Sequence, residues 1–271
     1  MVATIALALF AVAASAATRP FRVCAEPDNM PLSNARGEGF ENRIAAVLAD
    51  ELRADLVVAW QPQRRGFIRK TIGADFCDVW IGVPVGFERL LTTRPYYRSG
   101  YVIVTRADAA QPLRTLTDPR IASLRIGVQL VGDDLAATPP GLALARAGAL
   151  EGVVGYPVYG EGSTAARISA DLAAGRIDAA IVWGPQAGWF VRHGAVPLAL
   201  APASAPEGFA VPFAFAISVG VAKSRPDLRD EIDAALARRA NDVRAILDEY
   251  GVPQLDASDR PLALTSSGGT R

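Results

Sequence analysis

One histidine, His193, two cysteines, Cys24 and Cys77, and very little lysine are found in this chain of 271 residues. A single imidazole in the polar stretch VRHGAVP argues against a Ser-His-Asp triad. Without a Cys/His cluster there is no zinc-type ligand set, and no metal or other cofactor is implied. Neither sign of charge is in excess, with 28 basic and 28 acidic side chains, so no broad field draws the protein to nucleic acid or anionic lipid. The acids are scattered and no spacing singles out an acid/base pair, so the expectation is a protein that is not an enzyme. There is no internal repeat, and beyond the first residues no apolar run is long enough to span a bilayer.

Residues 1–17, MVATIALALFAVAASAA, form a short apolar run ending in small residues, and Ala14-Ser15-Ala16 fits a signal-peptidase site. No Lys or Arg precedes that run. The expectation is export to the periplasm with cleavage near Ala16. About half of the residues are apolar (51%), enough for a sizeable core.

Strand and helix patterns alternate. Phe21–Ala25, Leu56–Trp60, Asp78–Val83 and Tyr101–Thr105 read as strands, separated by an amphipathic helix over Glu41–Leu52 and a short helix over Phe67–Ile72. After the polar connector Ala107–Pro112 a second series begins. Its strands are expected at Leu124–Val128, Gly155–Tyr159, Ile177–Trp183 and Val196–Ala201. One helix starts at Thr138-Pro139-Pro140, and another over Ala165–Ala174 is capped by Thr164 and ended by Gly175. Ala203–Gly208 reads as a return crossing, Phe213–Ala222 as a strand, and Ser224 to Gly251 as helix with a break near Asn241.

The pattern predicts an α/β protein of two lobes, each a doubly wound, mostly parallel sheet, with a cleft between them facing the C-terminal ends of the strands. Residues 18–107 plus 209–253 would form the first lobe, 108–208 the second, and 254–271 a disordered tail. In a sheet of order 2-1-3 the strands bearing Cys24 and Cys77 are neighbours. They could be bridged, closing a loop of roughly fifty residues worth about 4 kcal/mol in the chain-entropy model, or be two buried thiols.

GFENRIAAVLADEL, GFERLLTTRPYY, ASLRIGVQLVGDD and LAAGRIDAAIVWGP, taken in order, resemble the type II periplasmic solute-binding proteins over nearly all of Phe21–Pro253. A narrower match lies in CAEPDNMPLSN, WQPQRRGFIRKT, CDVWIGVP, TTRPYYRS and GVQLVGDD. These are similar to the MoxJ/XoxJ-type accessory proteins of PQQ-dependent methanol dehydrogenases. That resemblance implies a non-enzymatic periplasmic partner of a PQQ-dependent alcohol dehydrogenase, aiding its assembly or activation. The alternative is the receptor of an ABC importer, with a permease as partner and a small molecule as ligand.

By the same resemblance, Arg89 matches the arginine that grips a carboxylate in amino-acid-binding relatives, a role suited to the guanidinium fork; otherwise it is a surface arginine. Trp183 stands where those relatives carry an acid that pairs with the substrate ammonium. An indole there disfavours an ordinary amino acid, or else packs between the lobes. Glu26, Asp28 and Asn29 follow the first strand and are expected at the cleft, with Gln129, Asp133 and Asp134 from the second lobe. The two aspartates are candidates either to accept hydrogen bonds from a ligand or partner or to cap the next helix. Tyr96, Tyr97 and Tyr159 are candidate cleft linings, with Tyr97 alternatively in the core. Arg64 and its neighbour Arg65 are candidates for an anion or an acidic partner surface, or are simply solvated.

Overall fold

The computed structural model describes residues 18–131, 136–158 and 162–262. Residues 1–17, Asp133, Asp134, Tyr159 and residues 263–271 lie outside that description, and with them the expectations placed on them.

The strands are β1 (Arg19–Ala25), β2 (Asp28–Asn29), β3 (Ser33–Asn34), β4 (Ala54–Trp60), β5 (Val79–Pro84), β6 (Leu91–Thr92), β7 (Tyr97–Arg106), β8 (Ile126–Val131), β9 (Ala136–Ala137), β10 (Val153–Pro157), β11 (Ala179–Trp183), β12 (Leu198–Pro202) and β13 (Ala214–Val221). The helices are α1 (Phe40–Glu51), α2 (Phe67–Lys70), α3 (Pro139–Arg146), α4 (Thr164–Ala173), α5 (Gly184–His193), α6 (Pro226–Arg238) and α7 (Ala240–Glu249).

In the first lobe β4, β1 and β5 run parallel in the order 2-1-3, and β13 joins β5 antiparallel. Alternating burial of Val79, Ile81 and Val83 fixes the inner face of β5. Phe40, Ile44 and Leu48 set α1 into one core with Val219 and Val221 of β13 and with Ile232 and Leu247 from α6 and α7. Helix α1 must begin at glycine, because a Cβ on Gly39 would stand 2.1 Å from the Leu32 carbonyl oxygen. In the second lobe β10, β8 and β11 run parallel, and β7 lies antiparallel between β11 and β12. Apolar clusters cover both faces of this sheet, as a doubly wound sheet requires.

One strand serves both lobes. Residues 97–100 of β7 pair with β13, and residues 101–106 pair with β11 and β12. The two crossings meet at Tyr101. Its N–H donates to the Phe213 carbonyl, and its own carbonyl accepts from Ala203 N–H.

Three expectations need correction. The cap of α4 is Ser163, whose hydroxyl accepts from Ala166 N–H, and Thr164 is the first helical residue. The VRHGAVP stretch holds the end of an unexpected helix, α5, which opens with Gly184-Pro185 and contains Gly188. Finally, residues 254–262 are ordered. Leu255 N–H donates to the Arg98 carbonyl, Arg98 pairs with Asp259, and Leu255 bridges to Pro261. The open edge of β7 at Arg98 offers these backbone groups partners, which polarity alone does not reveal.

The candidate functional site between the lobes

Elements from both lobes converge where β1 ends. Glu26, the residue after β1, is buried, and its carboxyl accepts from the backbone N–H groups of Gln63 and Asp28. Burial raises its pKa, while those two hydrogen bonds and the Arg64 charge oppose the rise. Past it the β2–β3 hairpin presents Asp28, Asn29 and Met30 to the second lobe.

The second lobe meets this hairpin with three groups. Gly162 N–H donates to Asp28 Oδ2 at 2.9 Å, and Ser163 Oγ donates to the Met30 carbonyl at 2.5 Å. Gln186 Nε2 donates to Asn29 Oδ1 at 3.1 Å. Behind Gln186 the network continues. Gln129 Nε2 donates to Gln186 Oε1 at 2.5 Å, and Gln129 Oε1 accepts from Trp183 N–H at 2.9 Å. Asn29, Gln129 and Gln186 are all buried, so this relay links the lobes away from water.

Trp183 is half-buried and packs against the core clusters of both lobes. Its ring meets Tyr101 edge-on at 5.5 Å and Phe215 at 5.9 Å, and Tyr101 meets Phe213 at 5.7 Å. The aromatic rings therefore gather at the crossings. Helix α5 is held close there as well: a Cβ on Gly184 would lie 2.6 Å from the Gly100 carbonyl oxygen, and one on Gly188 2.0 Å from that of Gly251. Trp189 stacks on Tyr250 at 4.8 Å. A cavity of about 440 Å³ lies beside the crossings, lined by Tyr101, Ala203, Phe213 and Pro253 among others.

The other candidates stand apart from this network. Arg89 sits in the turn after β5, exposed, and no hydrogen bond or ion pair engages it among the described residues. Arg64 and Arg65 are exposed in the loop after β4. Tyr97 is in the first lobe's core, and Tyr96 packs against that core with their rings 5.0 Å apart. Their hydroxyl pKa values are raised by burial and further by Glu41 at the start of α1, which shares this interior. Glu41 is itself buried, which pushes its pKa up to about 8, and the Tyr96 hydroxyl has no hydrogen-bond partner. Glu41 sits against Gly82 of β5, where a Cβ would meet its Oε1 at 2.1 Å.

Sequence reasoning did not single out Gln186, Ser163, Gly162 or Glu41. A proline directly after glycine in IVWGPQAG is a first-turn pattern that could have marked α5, and hence Gln186.

Two lobes of mostly parallel sheet, joined by adjacent crossings and facing each other at the strand ends, define a type II periplasmic solute-binding fold. No protein-family model matches the chain. Against individual proteins, it is 37% identical to the protein MoxJ of Paracoccus denitrificans, over 93% of this chain and 95% of that one. The chain belongs to the MoxJ family. Among solved structures, the periplasmic binding protein XoxJ from Methylobacterium extorquens AM1 is 38% identical, with a TM-score of 0.72 over 87% of this chain and 99% of that one. MxaJ from Methlophaga aminisulfidivorans MPT is 26% identical, with a TM-score of 0.74 over 87% of this chain and 100% of that one. Among the described residues no helix is long and apolar enough to cross a membrane.

Proposed function

We propose that this chain works in the periplasm, after removal of residues 1–17, as a non-enzymatic accessory of a PQQ-dependent alcohol or methanol dehydrogenase. It would assist the assembly or activation of that enzyme. The observation that carries this reading is the use of the cleft by the protein's own groups. Asn29 and Gln186, buried on opposite lobes, satisfy each other across the cleft. Trp183, placed by resemblance where amino-acid receptors keep an acid, packs on Tyr101 and Phe215. Family membership supports the same reading. A protein of this kind acts by binding one state of its partner better than another, and the lobes and their lips supply surface for that.

The test is a deletion of the gene together with a pull-down using the tagged mature protein. The expected result is loss of PQQ-dependent alcohol dehydrogenase activity and recovery of that enzyme with the bait. Unchanged activity and a pull-down without dehydrogenase would overturn the proposal. A tightly bound small solute recovered with the protein would then point to a receptor of an ABC importer and its permease.

A further inference from the structure

Arginines over much of this surface are held by carboxylates: Arg22 by Asp75 and Asp78, Arg125 by Asp178, Arg238 by Glu51 and Arg239 by Asp50. The segment RRGFIRK departs from that pattern. Arg64, Arg65, Arg69 and Lys70 are all exposed, and among the described residues none of the four is ion-paired. The nearby acids are engaged elsewhere, Glu26 by backbone N–H groups and Asp75 by Arg22.

These four cations sit on a firm base. Phe67 is buried in a cluster with Cys24 and Cys77, which form a disulfide, and it packs edge-on against Trp80 at 5.0 Å. Ile68 packs on the same cluster. The Thr71 hydroxyl donates to the Phe67 carbonyl at 2.7 Å, closing the turn. Gly66, at φ +83°, turns the chain into α2, and the space where its Cβ would stand lies 3.3 Å from Arg69 Nη2. The backbone beneath the charges is thus fixed on both sides. This knuckle is also at the cleft end of its lobe. It follows Trp60, which pairs with Ala25, and the exposed Trp60 ring lies four residues before Arg64.

We infer that the α2 knuckle, Arg64, Arg65, Arg69 and Lys70, is a docking surface for an acidic patch on a partner protein. Taking the partner to be the dehydrogenase rests on the function proposed above. Arginine forks on a rigid support match carboxylates held at fixed positions, and arginine is enriched at protein–protein contact centres. An anionic membrane fits less well. The apolar side chains of α2 are turned into the disulfide cluster and are not free to enter a bilayer, and the chain carries no net charge to hold it there.

The experiment measures binding of the mature full-length protein to the purified apo form of its organism's PQQ-dependent alcohol dehydrogenase, at low and at raised salt. Three proteins are compared. They are the wild type, the quadruple variant Arg64→Glu/Arg65→Glu/Arg69→Glu/Lys70→Glu, and a control, Arg114→Glu/Lys223→Glu, which reverses exposed cations elsewhere. The expected result is a loss of affinity of about 100-fold or more for the quadruple variant, an unchanged control, and wild-type binding that weakens about 10-fold as salt rises to several times the starting level. All four sites are exposed, so circular dichroism of the variant should match the wild type. Equal binding by wild type and quadruple variant would overturn the docking surface and leave the accessory role standing. No binding by the wild type at any salt would overturn the accessory role, and this assignment with it. Capture of the wild type, but not the quadruple variant, by vesicles containing about a third anionic lipid would replace a protein partner with a membrane.

Discussion

Gln186 Nε2 lies 3.1 Å from Asn29 Oδ1, and both side chains are buried although they belong to different lobes. A carboxamide is a neutral group with donors and an acceptor at fixed geometry. Each of the two groups depends on the other to be satisfied away from water, and Gln186 also satisfies Gln129. The lobes are therefore held together by a contact whose hydrogen bonds offset the burial of its polar groups while closed and that leaves orphaned polar groups if one member is lost.

Gln186→Leu should accordingly open the molecule. It removes the donor to Asn29 and the acceptor for Gln129 while keeping similar volume, and leaves Asn29 Oδ1 and Gln129 Nε2 without these partners at a cost of about 1–3 kcal/mol each, although Gln129 Oε1 keeps its bond from Trp183 N–H. Opening lets water satisfy them, so part of this cost is relieved by motion at the crossings. The expected outcome is a larger radius of gyration in small-angle scattering and a lower melting temperature. An unchanged radius with unchanged stability would show that the relay does not hold the lobes.

The Cys24–Cys77 bridge joins residues 53 apart in sequence across neighbouring strands, with Cα atoms 5.5 Å apart. The chain-entropy model assigns a loop of this size about 4 kcal/mol. Replacing both cysteines with alanine should lower the melting temperature by about 10 °C, since each kcal/mol shifts a chain of this size by roughly 2–4 °C. Scanning calorimetry of oxidised protein and of the double variant checks this. Equal melting temperatures would mean that the bridge adds no stability.

The Tyr96 hydroxyl is buried without a partner, next to Tyr97 and Glu41. Tyr96→Phe removes the orphan and keeps the ring contact with Tyr97. The expected change is stabilisation of up to about 1 kcal/mol, because the wild type carries a desolvation cost that phenylalanine does not. A loss of more than that in chemical denaturation would reveal a hydrogen bond formed by this hydroxyl in solution.

The parallel series β1, β4, β5 and β8, β10, β11 was legible because buried parallel strands must be apolar on both faces, and stretches such as VWIGV and AAIVW show it directly. The adjacency of Cys24 and Cys77 followed from the strand order. Helix α5 was hidden by Gly184 and Gly188. These glycines are there because Gly100 and Gly251 approach too closely for a side chain, a tertiary demand that local propensity cannot report. The extent of β7 was hidden for a related reason. Tyr97 to Gly100 look like loop in sequence and become strand only because β13 returns from the second lobe to pair with them. The cross-lobe bond between Asn29 and Gln186 spans 157 positions and leaves no local pattern. Glu41, an ordinary first-turn acid by sequence, becomes unusual only once β5 and the tyrosines close over it.

That burial of Glu41 gives stability a defined dependence on pH. Its carboxyl pKa is pushed up to about 8 by desolvation, from an ordinary value of 4.5, so between these values the folded protein binds a proton that the unfolded chain has released. Stability then falls as pH rises through this window and levels off above about 8, the reverse of the behaviour of a salt-bridged acid. Glu41→Gln keeps the shape and removes the titration. Its stability should be close to wild type near pH 5 and greater than wild type at pH 8 and above, by an amount on the order of a few kcal/mol, seen as a higher melting temperature. The carboxyl faces Tyr96 and Tyr97, which stay protonated across this range because burial and Glu41 both raise their pKa values, so they do not contribute a competing titration. Parallel melting curves for wild type and variant from pH 5 to 9 would refute the assignment; divergence only above pH 5, with the variant the more stable, is the outcome it requires.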